Sequence, residues 1–94
     1  MKLKGVIWLR QIADKLAFKH GIETREVEED LSNKPKIRFV EKGERKNEDV
    51  YLAAGQTDAG RYLLVIFLCK KSKEALILSA RDMTGKERKR YGKK

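Results

Sequence analysis

Two arginines suggest the first chemistry. Arg61 opens and Arg81 closes the stretch RYLLVIFLCKKSKEALILSAR, the most apolar part of a chain whose residues are 39% charged. Leu63 to Cys69 form an unbroken apolar run. A run this short, rich in β-branched and aromatic residues, reads as a strand covered on both faces. Lys70 to Lys73 interrupt it and Ala75 to Ala80 make a second strand, so a hairpin is expected with its loop at residues 71–73. A turn centred near Ser72 sets Leu63 opposite Arg81. Side chains alternate faces with period two, which places Arg61, Leu63, Ser79 and Arg81 on one face at the open end. Guanidiniums gathered there are either neutralised by Asp58 and Asp82 as surface pairs or hold an anion. Phosphate suits them, because the arginine fork matches its oxygens bidentately.

Two more titratable residues invite a role. His20 is the single histidine and could be a general acid or base. It also lies in line with an apolar stripe near a helix C-terminus, where the dipole favours it without any catalysis. Glu87 could be a catalytic carboxylate. It stands three residues after Thr84, however, and a capping box accounts for that spacing.

These side chains need a frame. Residues 4–8 fit a short strand or the entry to a helix. From Leu9 the pattern is helical, with Leu9, Ile12, Ala13, Leu16, Ala17 and His20 on one face and Arg10, Gln11, Asp14, Lys15 and Lys19 on the other. Phe18 falls on the polar side, where it could meet a partner or another element. Gly21 suits the left-handed position after a helix that ends at His20. Thr24 suits an N-cap for a short acidic helix in which Val27 and Leu31 lie one turn apart. That acidity excludes a DNA-reading helix-turn-helix, since phosphate would repel its second helix. NKPK, residues 33–36, is a break. Strands are expected at 37–41 and 50–56, with Ala53, Ala54 and Gly55 small enough for something to pack closely. TDAG, residues 57–60, turns the chain into the central strand. After Arg81 a short basic helix starts at Thr84 and frays into Lys93 and Lys94.

Ninety-four residues make one domain, 1–94, around one small core. No apolar run approaches the roughly 20 residues that span a bilayer, and MKLKGVIWL is too short in its apolar part for a signal peptide. The lone Cys69 cannot form an internal disulfide and reads as a buried small hydrophobe. One Cys and one His argue against a structural zinc site. No metal or other cofactor is expected, and the expected compartment is the cytoplasm. The net charge of +9 favours a polyanionic partner, nucleic acid above all. It is concentrated in TGKERKRYGKK, residues 84–94, with six Lys or Arg against one Glu.

With the elements placed, the chain resembles the BrnT family of bacterial toxins, which have a RelE-like ribonuclease fold. Trp8 and Lys19-His20-Gly21 stand at the spacing of the family's WD…KHG opening. Gly55, Gly60 and Arg61 match its central G…GR turn. ILSARDMTGKERKRY resembles its ISAR-x-x-T-x-x-E-R-x-x-Y ending, carried by Ser79, Ala80, Arg81, Thr84, Glu87, Arg88 and Tyr91. The first helix departs from the pattern. Leu9 stands where an acidic residue is usual, and Ile12 and Leu16 stand in place of Lys and Asn.

The resemblance implies a two-layer α+β domain: an antiparallel meander of four to five strands, two N-terminal helices and a short C-terminal one. It also implies a type II toxin that cleaves RNA and halts translation, paired with a small ribbon-helix-helix antitoxin, as a homodimer or a toxin–antitoxin hetero-oligomer. In such a reaction the 2′-hydroxyl attacks the adjacent phosphate, and preorganised cations matter more than a cofactor. Arg61 and Arg81 are the candidates for that role, with Arg88 and Lys89 holding the RNA backbone and Tyr91 and Trp8 stacking on a base. The general base is open among His20, Glu87 and Tyr91. The other readings are a non-catalytic basic module that binds nucleic acid, or one that docks only an acidic antitoxin.

Overall fold

The structure is a computed structural model that describes residues 1–92. The expected fraying into Lys93 and Lys94 lies outside the described residues. In chain order the elements are β1 (Gly5–Ile7), α1 (Arg10–His20), α2 (Thr24–Ser32), β2 (Lys36–Lys42), β3 (Asp49–Gln56), β4 (Tyr62–Cys69), β5 (Glu74–Asp82) and α3 (Gly85–Gly92). The strands form one sheet in the order β1-β5-β4-β3-β2. Strands β2 to β5 are the expected antiparallel meander. The ambiguous opening is a strand, and it runs parallel to β5, from Gly5 beside Glu74 to Ile7 beside Leu76. The α+β class is as expected, with a mixed rather than purely antiparallel sheet.

The two faces of the sheet are buried unequally. On the inner face Ala53, Leu63, Val65, Phe67, Ala75 and Ile77 pack with Leu16, Ile22 and Val27 from the N-terminal helical layer. Each large side chain buried there contributes roughly 1.5–3 kcal/mol. Tyr51 stacks on Phe67 at 5.8 Å and Phe39 meets Tyr51 edge-on at 6.1 Å, extending this core towards β2. Free Cys69 is buried in the same layer. On the outer face Leu64 is buried under α3, whereas Ile66 and Leu68 are only half-buried. The central strand is therefore covered on both faces at one end only.

Helix α1 ends as its residues require. Gly21 takes φ 61°, and the N–H groups of Gly21 and Ile22 return to the carbonyls of Ala17 (3.2 Å) and Leu16 (3.1 Å). Its buried stripe is narrower than the periodicity suggested. Leu16 is buried and Ile12 and Ala13 partly so, but Leu9, Ala17 and His20 are exposed. The helix rests mainly on β5, and one row of side chains fills that contact. Phe18 projects into solvent, 92% exposed.

Helix α2 corrects one expectation. Glu23, not Thr24, is its N-cap residue, and the Glu26 carboxylate accepts the Glu23 N–H at 3.0 Å. Its acidic face is not wholly solvated, because Asp30 is fully buried. A Cβ on Gly55 would come within 3.0 Å of Asp30 Oδ1 and 3.1 Å of Pro35, so only glycine leaves room for this carboxyl. Neither Asp30 oxygen has a hydrogen-bond partner among the described residues. Burial pushes its pKa up to about 8, and the adjacent Gly55 backbone offsets only part of that.

Candidate active site

The β4–β5 register decides where the arginines point. From Cys69 beside Ala75 to Phe67 beside Ile77, the pairing is the one a turn centred on Ser72 dictates. It then shifts, and Ile66 pairs with Ser79, leaving Leu78 as an extra residue on β5. Such a bulge moves every later side chain to the opposite face. Asp82, not Arg81, lies opposite Leu63, and Arg81 lies opposite Leu64. The expected common face for Arg61, Leu63, Ser79 and Arg81 is thus overturned, and with it a joint grip of the two arginines on one phosphate.

Arg61 reaches the helical side and is fully engaged. Its Nε and Nη2 donate to the two Asp82 oxygens at 2.7 and 3.0 Å. Nη1 donates to Glu26 (3.2 Å) and to the Gly21 carbonyl (2.9 Å), and Nη2 to the His20 carbonyl (3.1 Å). The guanidinium thereby satisfies carbonyls left open at the end of α1 and ties both N-terminal helices to the sheet. Asp82 raises the Arg61 pKa most, despite burial, with Glu26 adding to it. Asp82 is held below the usual carboxylate range by Arg61, with a smaller contribution from nearby His20. Glu26 is held low chiefly by the Glu23 backbone N–H and further by Arg61. Asp58 pairs with neither arginine; it accepts from Asn33 Nδ2 at 2.9 Å.

Arg81 lies on the outer face with α3. Its Nη1 and Nη2 donate to the two Glu87 oxygens, each at 2.8 Å, and Nη1 also donates to the Asp82 carbonyl at 3.1 Å. The Thr84 N–H donates to Glu87 at 2.8 Å, and Thr84 Oγ1 accepts the Glu87 N–H at 3.2 Å. The capping box and an Arg–carboxylate fork thus share one glutamate. Arg81, then the Thr84 N–H, hold the Glu87 pKa down to about 2. Glu87 raises that of Arg81. The Arg81 side chain is 50% exposed, against 28% for Arg61.

Aromatic and basic groups gather around this second pair. Tyr62 and Tyr91 meet edge-on at 5.9 Å, Arg88 lies 4.3 Å over the Tyr62 ring, and Lys36 lies 5.2 Å over Tyr91. Lys89 is exposed on the same helix. Sequence reasoning missed Lys36 and Arg38, which β2 brings beside α3; the exposed cation at alternate strand positions was the available signal. Trp8 and His20 are not part of this cluster. Trp8 packs against the inner core and donates its indole N–H to Glu28 at 2.9 Å. Exposed His20 stands by Asp82 and Arg61. Among the described residues no group of three or more His, Cys, Asp or Glu could hold a metal ion. Nor, among the described residues, is any helix long and apolar enough to cross a membrane.

Residues 8–87 match the family described as the ribonuclease toxin, BrnT, of type II toxin-antitoxin systems. The chain belongs to the BrnT family. The matched span runs from Trp8 to Glu87 and so contains both arginine sites. Among solved structures, the BrnT ribonuclease toxin of Brucella abortus is similar over 88% of this chain and 99% of its own, with a TM-score of 0.62 and 20% identity. That likeness is one of fold. No curated protein matches the chain. Within the BrnT frame, the candidate residues divide into an inner set (Arg61, His20, Trp8) and an outer set (Arg81, Glu87, Arg88, Lys89, Tyr91).

Proposed function

We propose that this chain is an endoribonuclease toxin that cuts RNA without a metal, halts translation, and is restrained by a small ribbon-helix-helix antitoxin. The outer set is the catalytic face. The observation that carries this assignment is Arg81 itself, a half-exposed guanidinium clamped by Glu87 beside a cationic helix.

The clamp leaves chemistry available. Arginine has five N–H donors, and the bonds to Glu87 and Asp82 occupy three of them. Nε–H and one Nη2–H remain for phosphate oxygens, already oriented before RNA arrives. The 2′-oxygen bonds to phosphorus, the P–O5′ bond breaks, and the products carry a 2′,3′-cyclic phosphate and a 5′-hydroxyl. Negative charge grows on the non-bridging oxygens, where fixed donors stabilise the transition state more than the ground state. Glu87 is too acidic to take the 2′-proton and serves as the positioning residue for Arg81. Tyr91 is the proton-transfer candidate on this face, since His20 lies with the inner set. Arg88 and Lys89 attract and hold the backbone.

The test is direct. Purified protein is incubated with RNA and a chelator, and the ends are analysed. Cyclic phosphate ends that vanish in Arg81→Ala support the reading. Binding without cutting, unchanged by that substitution, replaces it with the non-catalytic module. Salt-insensitive binding to an antitoxin with no RNA affinity points to a pure docking protein.

A further inference from the structure

Beside the Arg81–Glu87 pair, α3 and the outer face of the sheet enclose a cleft of about 220 Å³. Leu52, Ala54 and Leu64 make its floor, Tyr91 one wall, and Arg38 and Arg90 its rim. A dry apolar cavity of about 150 Å³ already accepts a benzene ring, so this one has room for a planar heterocycle. Arg38 and Arg90 are exposed and form no ion pair among the described residues. An apolar slot with a cationic rim is complementary to a flat base attached to phosphate.

We infer that this cleft is a nucleobase subsite for single-stranded RNA: one unpaired base enters between Tyr91 and the Leu52–Ala54–Leu64 floor, and Arg38 and Arg90 hold the phosphates on either side of it. The inference rests on the ribonuclease reading for the identity of the strand and extends it, because Glu87 lines the same cleft. A base lodged there brings the strand alongside the Arg81–Glu87 pair. At about 220 Å³ the slot has room for one base, so recognition is of one nucleotide at a time. A duplex cannot present a base in this way, and the site therefore selects unpaired RNA.

The probe is a six-nucleotide 2′-O-methyl RNA, which cannot be cut because its nucleophile is blocked. One abasic position is moved along it, and binding is followed by fluorescence anisotropy. With the wild-type protein, one position should weaken binding by about tenfold or more, the effect of losing one stacked base, while the others change little. Ala54→Phe fills the slot, so the intact probe should then bind as weakly as that abasic one, and the positional step should disappear. Arg38→Ser should lower the salt dependence by about one phosphate contact and leave the step in place. A flat abasic scan of the wild-type protein overturns the subsite, and so does Ala54→Phe binding the intact probe as tightly as wild type. Should Ala54→Phe unfold, the wild-type scan still decides. Loss of antitoxin binding in Ala54→Phe with RNA binding intact assigns the slot to the protein partner and overturns the inference. A flat scan in a protein that still cuts RNA sinks the subsite alone. A stepped scan in one that never cuts sinks the nuclease reading alone.

Discussion

Arg61 and Arg81 have the same side chain, lie at the same end of the sheet, and do opposite things with their donors. Arg61 spends its guanidinium on two carboxylates and two carbonyls and is shielded by both N-terminal helices. Arg81 meets a single carboxylate and the carbonyl of its neighbour, and half of its side chain faces water. Asp82 touches both, with its carboxylate on Arg61 and its carbonyl receiving Arg81. An arginine with every donor satisfied stabilises a fold. One that is oriented but not saturated can still bind a ligand. On this ground the proposed chemistry is assigned to the outer face, and the architecture to the inner one.

The sharpest way to break that division is to remove each guanidinium in turn. Arg81→Ala should lower the cleavage rate by about 10²- to 10³-fold, the usual effect of losing one transition-state donor. Stability should change by no more than about 1 kcal/mol, because the ion pair is well exposed. Single-turnover cleavage and thermal unfolding of the same preparation measure both. A comparable rate loss in Arg61→Lys, with the fold intact, would move the chemistry to the inner face.

Arg61→Ala should show the reverse pattern. It leaves Asp82 and Glu26 without their cation and uncovers the carbonyls of His20 and Gly21. Discounted for partial exposure, the cost is about 2–3 kcal/mol, or roughly 10 °C or more in Tm for a domain of this size. Urea unfolding would measure it. The protein that remains folded at low temperature should cut RNA at close to the wild-type rate.

The sequence made one of these roles legible and hid the other. Capping-box spacing pointed to Glu87, and alternation placed the hairpin correctly as far as Phe67 and Ile77. What it could not carry was the extra residue at Leu78, since ILSAR reads as a regular strand with or without a bulge. One residue of slip was enough to send Arg81 to the other face. Asp30 was hidden differently. It lies three residues after Val27, on the buried stripe, but the sequence marked it only as one of several acidic residues on a short acidic helix. Only the missing side chain at Gly55, already noted as a place of close packing, pointed to a buried neighbour. The end of α1 and the meander from β2 to β5 were readable because Gly21, Pro35 and the short turns mark where those elements stop, whereas the parallel docking of β1 on β5 leaves no such local mark.

Asp30 also supplies a control for the comparison, a carboxyl with no guanidinium at all. Its pKa in the fold is raised from an ordinary 3.8 to about 8, so the fold favours the protonated form. Its stabilising contribution is complete below about pH 4 and is lost as pH rises towards 8. Asp30→Asn, which keeps the shape without the charge, should therefore be more stable than wild type, by on the order of 2 kcal/mol at pH 8, with the difference vanishing near pH 4. Unfolding midpoints across that range would show it. A constant difference would mean that Asp30 is already charged in the fold.

The carboxylates that do face arginines must titrate in the opposite sense. Glu87 falls from an ordinary 4.5 to about 2, and Asp82 and Glu26 are also lowered. Stability from Glu87 is complete above the unfolded carboxylate range and is lost as pH drops from about 4.5 towards 2, and Asp82 and Glu26 act in the same direction. Because the Glu87 pair is exposed, its share of that loss is the smallest effect expected here. Glu87→Gln should make acid unfolding only slightly shallower. The same substitution keeps an acceptor for the Thr84 N–H but removes the charge that aligns Arg81. Its cleavage rate should consequently fall while RNA affinity rises, since the outer face becomes one unit more positive. A drop in affinity alongside the rate would instead place Glu87 against the RNA, in contact with the substrate rather than behind the arginine.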